Sequence, residues 1–153
     1  MGEIWKPHVA AAAIVERGGE YLFVEEIADG ELVLNQPAGH LDPGETLIEA
    51  CVRETQEETG WRVGVDALIG IYLLETETPG ETFLRFCFAA TPLEHDPDQR
   101  LDDEIQRIVW LNREHAQQRR AMHRSPLVMR SIEDFENGAR YPLSLLDAYL
   151  NNQ

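Results

Sequence analysis

The stretch GHLDPGETLIEACVRETQEETGW, residues 39 to 61, decides how the rest of the chain is read. It places Glu54, Glu57 and Glu58 close together, with Glu45 and Glu49 just upstream. Pro43 and Gly44 precede a periodic run and Gly60 follows it, so the spacing predicts a helix over 45–59 with Gly60 as a left-handed cap. At about 100° per residue, Glu54, Glu57 and Glu58 share one helix face. Ile48, Cys51, Val52 and Thr55 form a second stripe, which should face a sheet. Like charges at i,i+4 cost a few tenths of a kcal/mol per pair. Two of the glutamates also lie near the helix C-terminus, where the dipole disfavours anions. Two readings stand here: a solvated acidic face, or a cation site. A solubilising face would interleave lysines, and only Arg53 and Arg62 are near. A hard divalent ion answers the repulsion directly. Mg²⁺ takes carboxylate oxygens, keeps several waters and completes its shell with phosphates.

Working outward, 153 residues with 43% hydrophobic content suit one domain with a single core. The net charge is −15, and Lys6 is the only lysine. Such a chain suits neither a nucleic-acid backbone nor an anionic membrane. An anionic substrate would need local arginines or metal ions to recruit it. Cys51 and Cys87 form no CxxC pair and have apolar neighbours, so they read as buried free thiols in a reducing, cytoplasmic setting. No apolar run approaches the roughly 18 residues of a membrane span.

Residues 8–15 and 21–26 read as a hairpin, and Asp29-Gly30 marks a second hairpin into 32–37. Pro37 and Gly39 then break regular structure. After the helix, 61–65 and 67–77 read as two strands, 82–91 as another, 94–104 as an acidic loop, and the segment after Glu104 as a late strand. Residues 113–123 and 126–137 read as helices, the latter ended by Gly138. Residues 142–150 read as a short final helix. The pattern is α/β in the broad sense (α+β), a mixed sheet with one central helix.

Residues 39 to 61 resemble the Nudix box: Gly, five residues, Glu, seven residues, Arg-Glu, aliphatic, any, Glu-Glu, any, Gly, aliphatic. Gly39, Glu45, Arg53, Glu54, Glu57, Glu58 and Gly60 stand at the required spacing. Thr55 and Trp61 occupy places that are usually aliphatic. The segments KPHV, NQPAGHL, FLRF, SPLV and GARYPL resemble the NudJ-type phosphatase branch of that family. The resemblance implies an α/β/α sandwich and metal-dependent hydrolysis of a small organic diphosphate, with Mg²⁺ or Mn²⁺. In the NudJ branch it points to nucleoside tri- or diphosphates and the hydroxymethylpyrimidine diphosphate precursor of thiamine.

On this reading Glu54, Glu57 and Glu58 hold the metal. Arg53 projects away from their edge and orients them, the rival reading being a surface ion pair. Glu45 is a supporting residue or simply a first-turn glutamate favoured by the dipole. Gly39 gives close backbone approach. Among the acids before the late strand, Glu104 is expected as a further ligand or general base, with Asp103 second; a solvated acidic loop is the alternative. Arg85, among apolar neighbours, suits a phosphate or a buried ion pair with a helix glutamate. Gln36 and His40 flank the Pro-Ala-Gly turn as substrate contacts. The protein is expected to be a monomer or homodimer. Two other functions compete: a nucleotide sensor without turnover, disfavoured by the three retained glutamates, and trimming of RNA 5′ ends, disfavoured by the charge and the lack of a basic stripe.

Overall fold

A computed structural model of the chain describes residues 2–151. Strand β1 (His8–Arg17) lies at its centre, buried from Ala10 to Val15. Its alanines reflect that position. Ala11 and Ala13 face one hydrophobic cluster and Ala12 faces the other, so helices approach both sides of this strand closely. The hairpin partner is β2 (Glu20–Ala28), and β3 (Glu31–Asn35) follows through the Asp29-Gly30 turn. A short β4 (Ala38–His40) forms where a break was expected, because its backbone pairs antiparallel with Ala10–Ala12 of β1.

Helix α1 (Leu47–Thr59) opens with a capping box between Thr46 and Glu49. It ends at Gly60, whose φ of 75° is the left-handed geometry expected of it. Segments 61–65 and 67–77 are not two strands. They form one long β5 (Trp61–Glu75), and the irregularities that suggested a gap are register shifts around Val63, Asp66 and Ile69. β6 (Thr82–His95) is longer than expected and runs into the acidic segment. It is parallel to β1 and antiparallel to β5. β7 (Ile105–Leu111) pairs with β2. The mixed sheet runs β3-β2-β1-β6-β5, with β4 beside β1 and β7 beside β2.

Helix α2 (Arg113–Gln118) stops earlier than expected and passes into a 3-10 turn at Arg120–Met122. Helix α3 (Leu127–Glu136) starts one residue later than expected, with Pro126 at the N-cap position, and Ser125 Oγ accepts from the Leu127 amide. The final segment is only a 3-10 turn, Leu143–Leu145. Tyr141 exchanges two backbone bonds with Leu68 of β5, and that extended bridge leaves no helix to continue. α1 covers one face of the sheet and α3 the other, giving the α/β/α sandwich that the resemblance implies. Among the described residues no helix is long and apolar enough to cross a membrane.

Candidate active site

Helix α1 buries Ala50, Cys51, Thr55 and Thr59, and Ile48 and Val52 pack against the same cluster. Thr55 fits its usually aliphatic place because its hydroxyl donates to the Cys51 carbonyl at 2.7 Å. The packed stripe aims the acidic edge along the mouth of a cavity of about 1310 Å³.

The edge carries far more anion than cation. Arg53 donates to Glu45 at 2.7 and 3.0 Å, to Glu54 at 2.8 Å, to Glu57 at 3.1 Å and to the His40 carbonyl at 2.9 Å. Asp42 adds a further carboxylate at 3.4 Å. This corrects the expectation that Arg53 projects away from the edge. Its Nη1 lies between Glu54 and Glu57, and its other nitrogens reach back to the loop before the helix. The guanidinium holds the Glu45 carboxyl below its ordinary range, and the Glu45 bond is also what raises Arg53 most. Burial, by contrast, pushes Glu54 up despite the Arg53 bond. Gly39 lies against Glu54 so closely that a Cβ there would collide with the carboxylate. The close approach expected of Gly39 is therefore to Glu54.

The loop after β6 closes the site. Gln99 Nε2 donates to the Gln56 carbonyl at 2.5 Å, Asp96 N to Gly60 O at 3.0 Å and Asp102 N to Glu57 O at 3.2 Å. The Asp102 amide satisfies a carbonyl that the helix C-terminus leaves open, whereas the Gln56 carbonyl also accepts the Gly60 amide. The loop's bonds also set Asp102 beside Glu57. Carboxylate oxygens of Glu54, Glu57 and Asp102 come within 4.8 Å of one another. Sequence reasoning favoured Glu104 and then Asp103 from this run and passed over Asp102. Glu104 is exposed and lines the same cavity without joining the trio, while Asp103 faces solvent and pairs with Arg100. Burial raises the Asp102 carboxyl, and Glu57 adds to the shift.

Glu58 also stands apart from the trio. It is 5% exposed, accepts the Ala38 amide at 3.0 Å, and is pushed up to about 9, chiefly by burial. A second acid missed from the sequence, Glu26 of β2, lines the same cavity, and burial raises its carboxyl too.

Arg85 is 7% exposed and, among the described residues, bonds to no helix glutamate. It donates to Gln36 Oε1 at 2.8 Å and to Asn35 Oδ1 at 3.4 Å, and its Nε has no partner among the described residues. Gln36 in turn donates to the Val128 carbonyl at 2.7 Å, so its side chain braces Arg85 against α3. His40 is exposed, 3.1 Å from His8 Nδ1, and both rings pack on Phe83. Both cysteines are free and buried.

A family model for the NUDIX domain matches residues 6–131. The chain is 40% identical over 145 residues to Phosphatase NudJ of Escherichia coli K12, covering 94% of this chain and 92% of that protein, and equally to Phosphatase NudJ of Shigella flexneri. A solved NUDIX hydrolase from Nitrosomonas europaea superposes with a TM-score of 0.92 at 48% identity, over 94% of this chain and 98% of that one. A UDP-X diphosphatase superposes at 0.70 with 16% identity, a likeness of fold. With Gly39, Glu54 and Glu58 of the box lining one cavity and these matches along nearly its whole length, the chain belongs to the Nudix family and is a phosphohydrolase of diphosphates.

Proposed function

We propose that the enzyme hydrolyses nucleoside tri- and diphosphates, and the hydroxymethylpyrimidine diphosphate precursor of thiamine, with Mg²⁺ or Mn²⁺ held by Glu54, Glu57 and Asp102. The observation that carries this reading is the convergence of those three carboxylates within 4.8 Å beside the cavity. The donor set fits a hard divalent ion: oxygens only, with the Arg53 guanidinium the one cation bonded to Glu54 and Glu57 among the described residues. When bound, such an ion neutralises phosphate oxygens and lowers the pKa of water.

The chain's own groups do the positioning. Arg53 fixes the rotamers of Glu54 and Glu57 and ties them to the loop through Glu45 and the His40 carbonyl. Glu104, exposed at the cavity, takes the proton of the water that attacks phosphorus. Arg85 places an unneutralised positive charge behind the diphosphate, and Gln36 keeps it there. The NudJ likeness supports the substrate classes. The charge of −15 weighs against an RNA substrate.

The test is a substrate panel with Mg²⁺ and separate detection of orthophosphate and pyrophosphate. Wild type is expected to release phosphate from at least one nucleotide or aminopyrimidine diphosphate, and Glu57→Gln to release about a thousandfold less per unit time. Equal rates in the two proteins would overturn the assignment. Saturable binding without product would support a sensor instead.

A further inference from the structure

Glu26 is a cavity carboxylate without a cationic partner within bonding distance among the described residues. Its neighbour Glu25 shows how this fold treats a structural carboxylate: two arginines, at 2.8 and 2.7 Å. Among the described residues the Glu26 carboxylate accepts only from the Asn35 amide, at the long distance of 3.5 Å. It also lies outside the trio of Glu54, Glu57 and Asp102. Burial raises its carboxyl, and the Asn35 amide and the more distant charges of Arg124 and Arg85 offset only part of that cost.

Asn35 is 6% exposed, and its neighbours fix which way its amide points. A guanidinium only donates, so the contact from Arg85 requires Oδ1 on that side. Nδ2 then faces Glu26, and its remaining N–H has no acceptor among the described residues. Val24 pairs directly with Asn35 across β2 and β3, and Glu26 lies two residues along the same face. The two side chains thus present a fixed donor beside an acceptor. Val33, Leu74, Phe83 and Met129 line the same cavity and supply apolar surface. Arg85, its Nε unpartnered and more than nine-tenths buried, anchors the arrangement from below.

We propose that Glu26 and Asn35 form the specificity pair of the site, in which Glu26 accepts an N–H from the edge of a nitrogen heterocycle while Asn35 donates to the adjacent acceptor. The ligand class is a diphosphate carrying a heteroaromatic ring with an N–H beside a ring nitrogen or carbonyl. A nucleoside diphosphate and an aminopyrimidine on a methylene group share that chemistry. Prenyl and sugar diphosphates lack it. The inference rests on the diphosphate reading above for where the phosphates lie.

The experiment uses non-hydrolysable α,β-methylene diphosphates, calorimetry, the full chain and Mg²⁺. One arm compares the adenosine and purine-riboside analogues, which differ only in the amino group. The other compares an aminopyrimidine-methanol analogue with its desamino form, and so separates the two sources. Wild type is expected to bind the amino-bearing member of at least one pair about tenfold or more tighter. Glu26→Ala should bring that pair to within about twofold, and Glu26→Gln, which keeps the shape should the alanine variant fail to fold, should narrow it. Mn²⁺ alone should bind wild type and variant equally. Equal affinities within both wild-type pairs, discrimination that survives Glu26→Ala, weaker Mn²⁺ binding in the variant, or no binding of any analogue would each overturn the proposal. Because binding is read without turnover, failed hydrolysis sinks the proposed function and leaves this result standing by itself.

Discussion

Two ionic knots on opposite faces of the sheet differ in their arithmetic. Around Glu25, one buried carboxylate meets two guanidiniums, Arg107 and Arg119. Around Arg53, one guanidinium serves Asp42, Glu45, Glu54 and Glu57. The first knot joins β2, β7 and the end of α2, and the arginine bonds pull Glu25 below its ordinary range. The second leaves anionic charge over: Arg53 pulls Glu45 below its ordinary range, while burial holds Glu54 above its own, as it does the nearby Glu58, Asp102 and Glu26. A carboxylate satisfied by the protein is a structural fastening. Carboxylates kept together without enough cations are held for something that arrives from solution.

The largest expected effect falls on the anionic knot. Arg53→Ala should lower kcat/KM by about a hundredfold in steady-state phosphate release, since Glu54 and Glu57 lose their shared anchor. A change of less than about threefold would make Arg53 a surface ion pair of little consequence. Next comes the fastening. Glu25→Gln should cost about 2 kcal/mol in denaturant unfolding and leave hydrolysis unchanged. Lost activity at full stability would break the contrast between the two knots.

Last comes pH dependence, whose sign differs between Glu25 and the buried Glu58 beside the acidic edge. The folded state lowers Glu25, so its contribution is present above the unfolded value of about 4.3 and is lost as pH falls through the folded value. The folded state raises Glu58 to about 9, so stability falls as pH rises from about 4.3 towards that value. In chelator, Glu58→Gln should therefore gain on wild type between pH 6 and pH 9 in thermal melts, whereas Glu25→Gln should flatten only the acid limb. Parallel profiles for wild type and Glu58→Gln would contradict the burial of that carboxyl.

Much of this was legible in residues 39–61, because helix periodicity is local. The spacing of Glu54, Glu57 and Glu58, the cap at Gly60 and the packed stripe follow from about 100° per residue. What escaped depends on distant backbone. Asp102, Asp103 and Glu104 are equivalent as text, and only the bond from Asp102 N to Glu57 O selects among them. Alternation along β2 says that Glu25 and Glu26 face opposite ways. It cannot say which side meets Arg107 and Arg119 and which meets the cavity. Arg85 reads in the sequence as a cation among apolar neighbours, and it is buried, but its neutral partners are Asn35 at the end of β3, which is not a neighbour of β6 in the sheet, and Gln36 just after it.

The central claim is that the carboxylates in excess around Arg53, together with Asp102, are a divalent-ion site. Electron paramagnetic resonance of free Mn²⁺, titrated with wild type, Glu57→Gln and Glu25→Gln, tests it most directly. The account predicts saturable loss of the free-ion signal with wild type and Glu25→Gln alike, and affinity weaker by about tenfold or more with Glu57→Gln. Equal affinity in wild type and Glu57→Gln, or no binding to wild type, would contradict it.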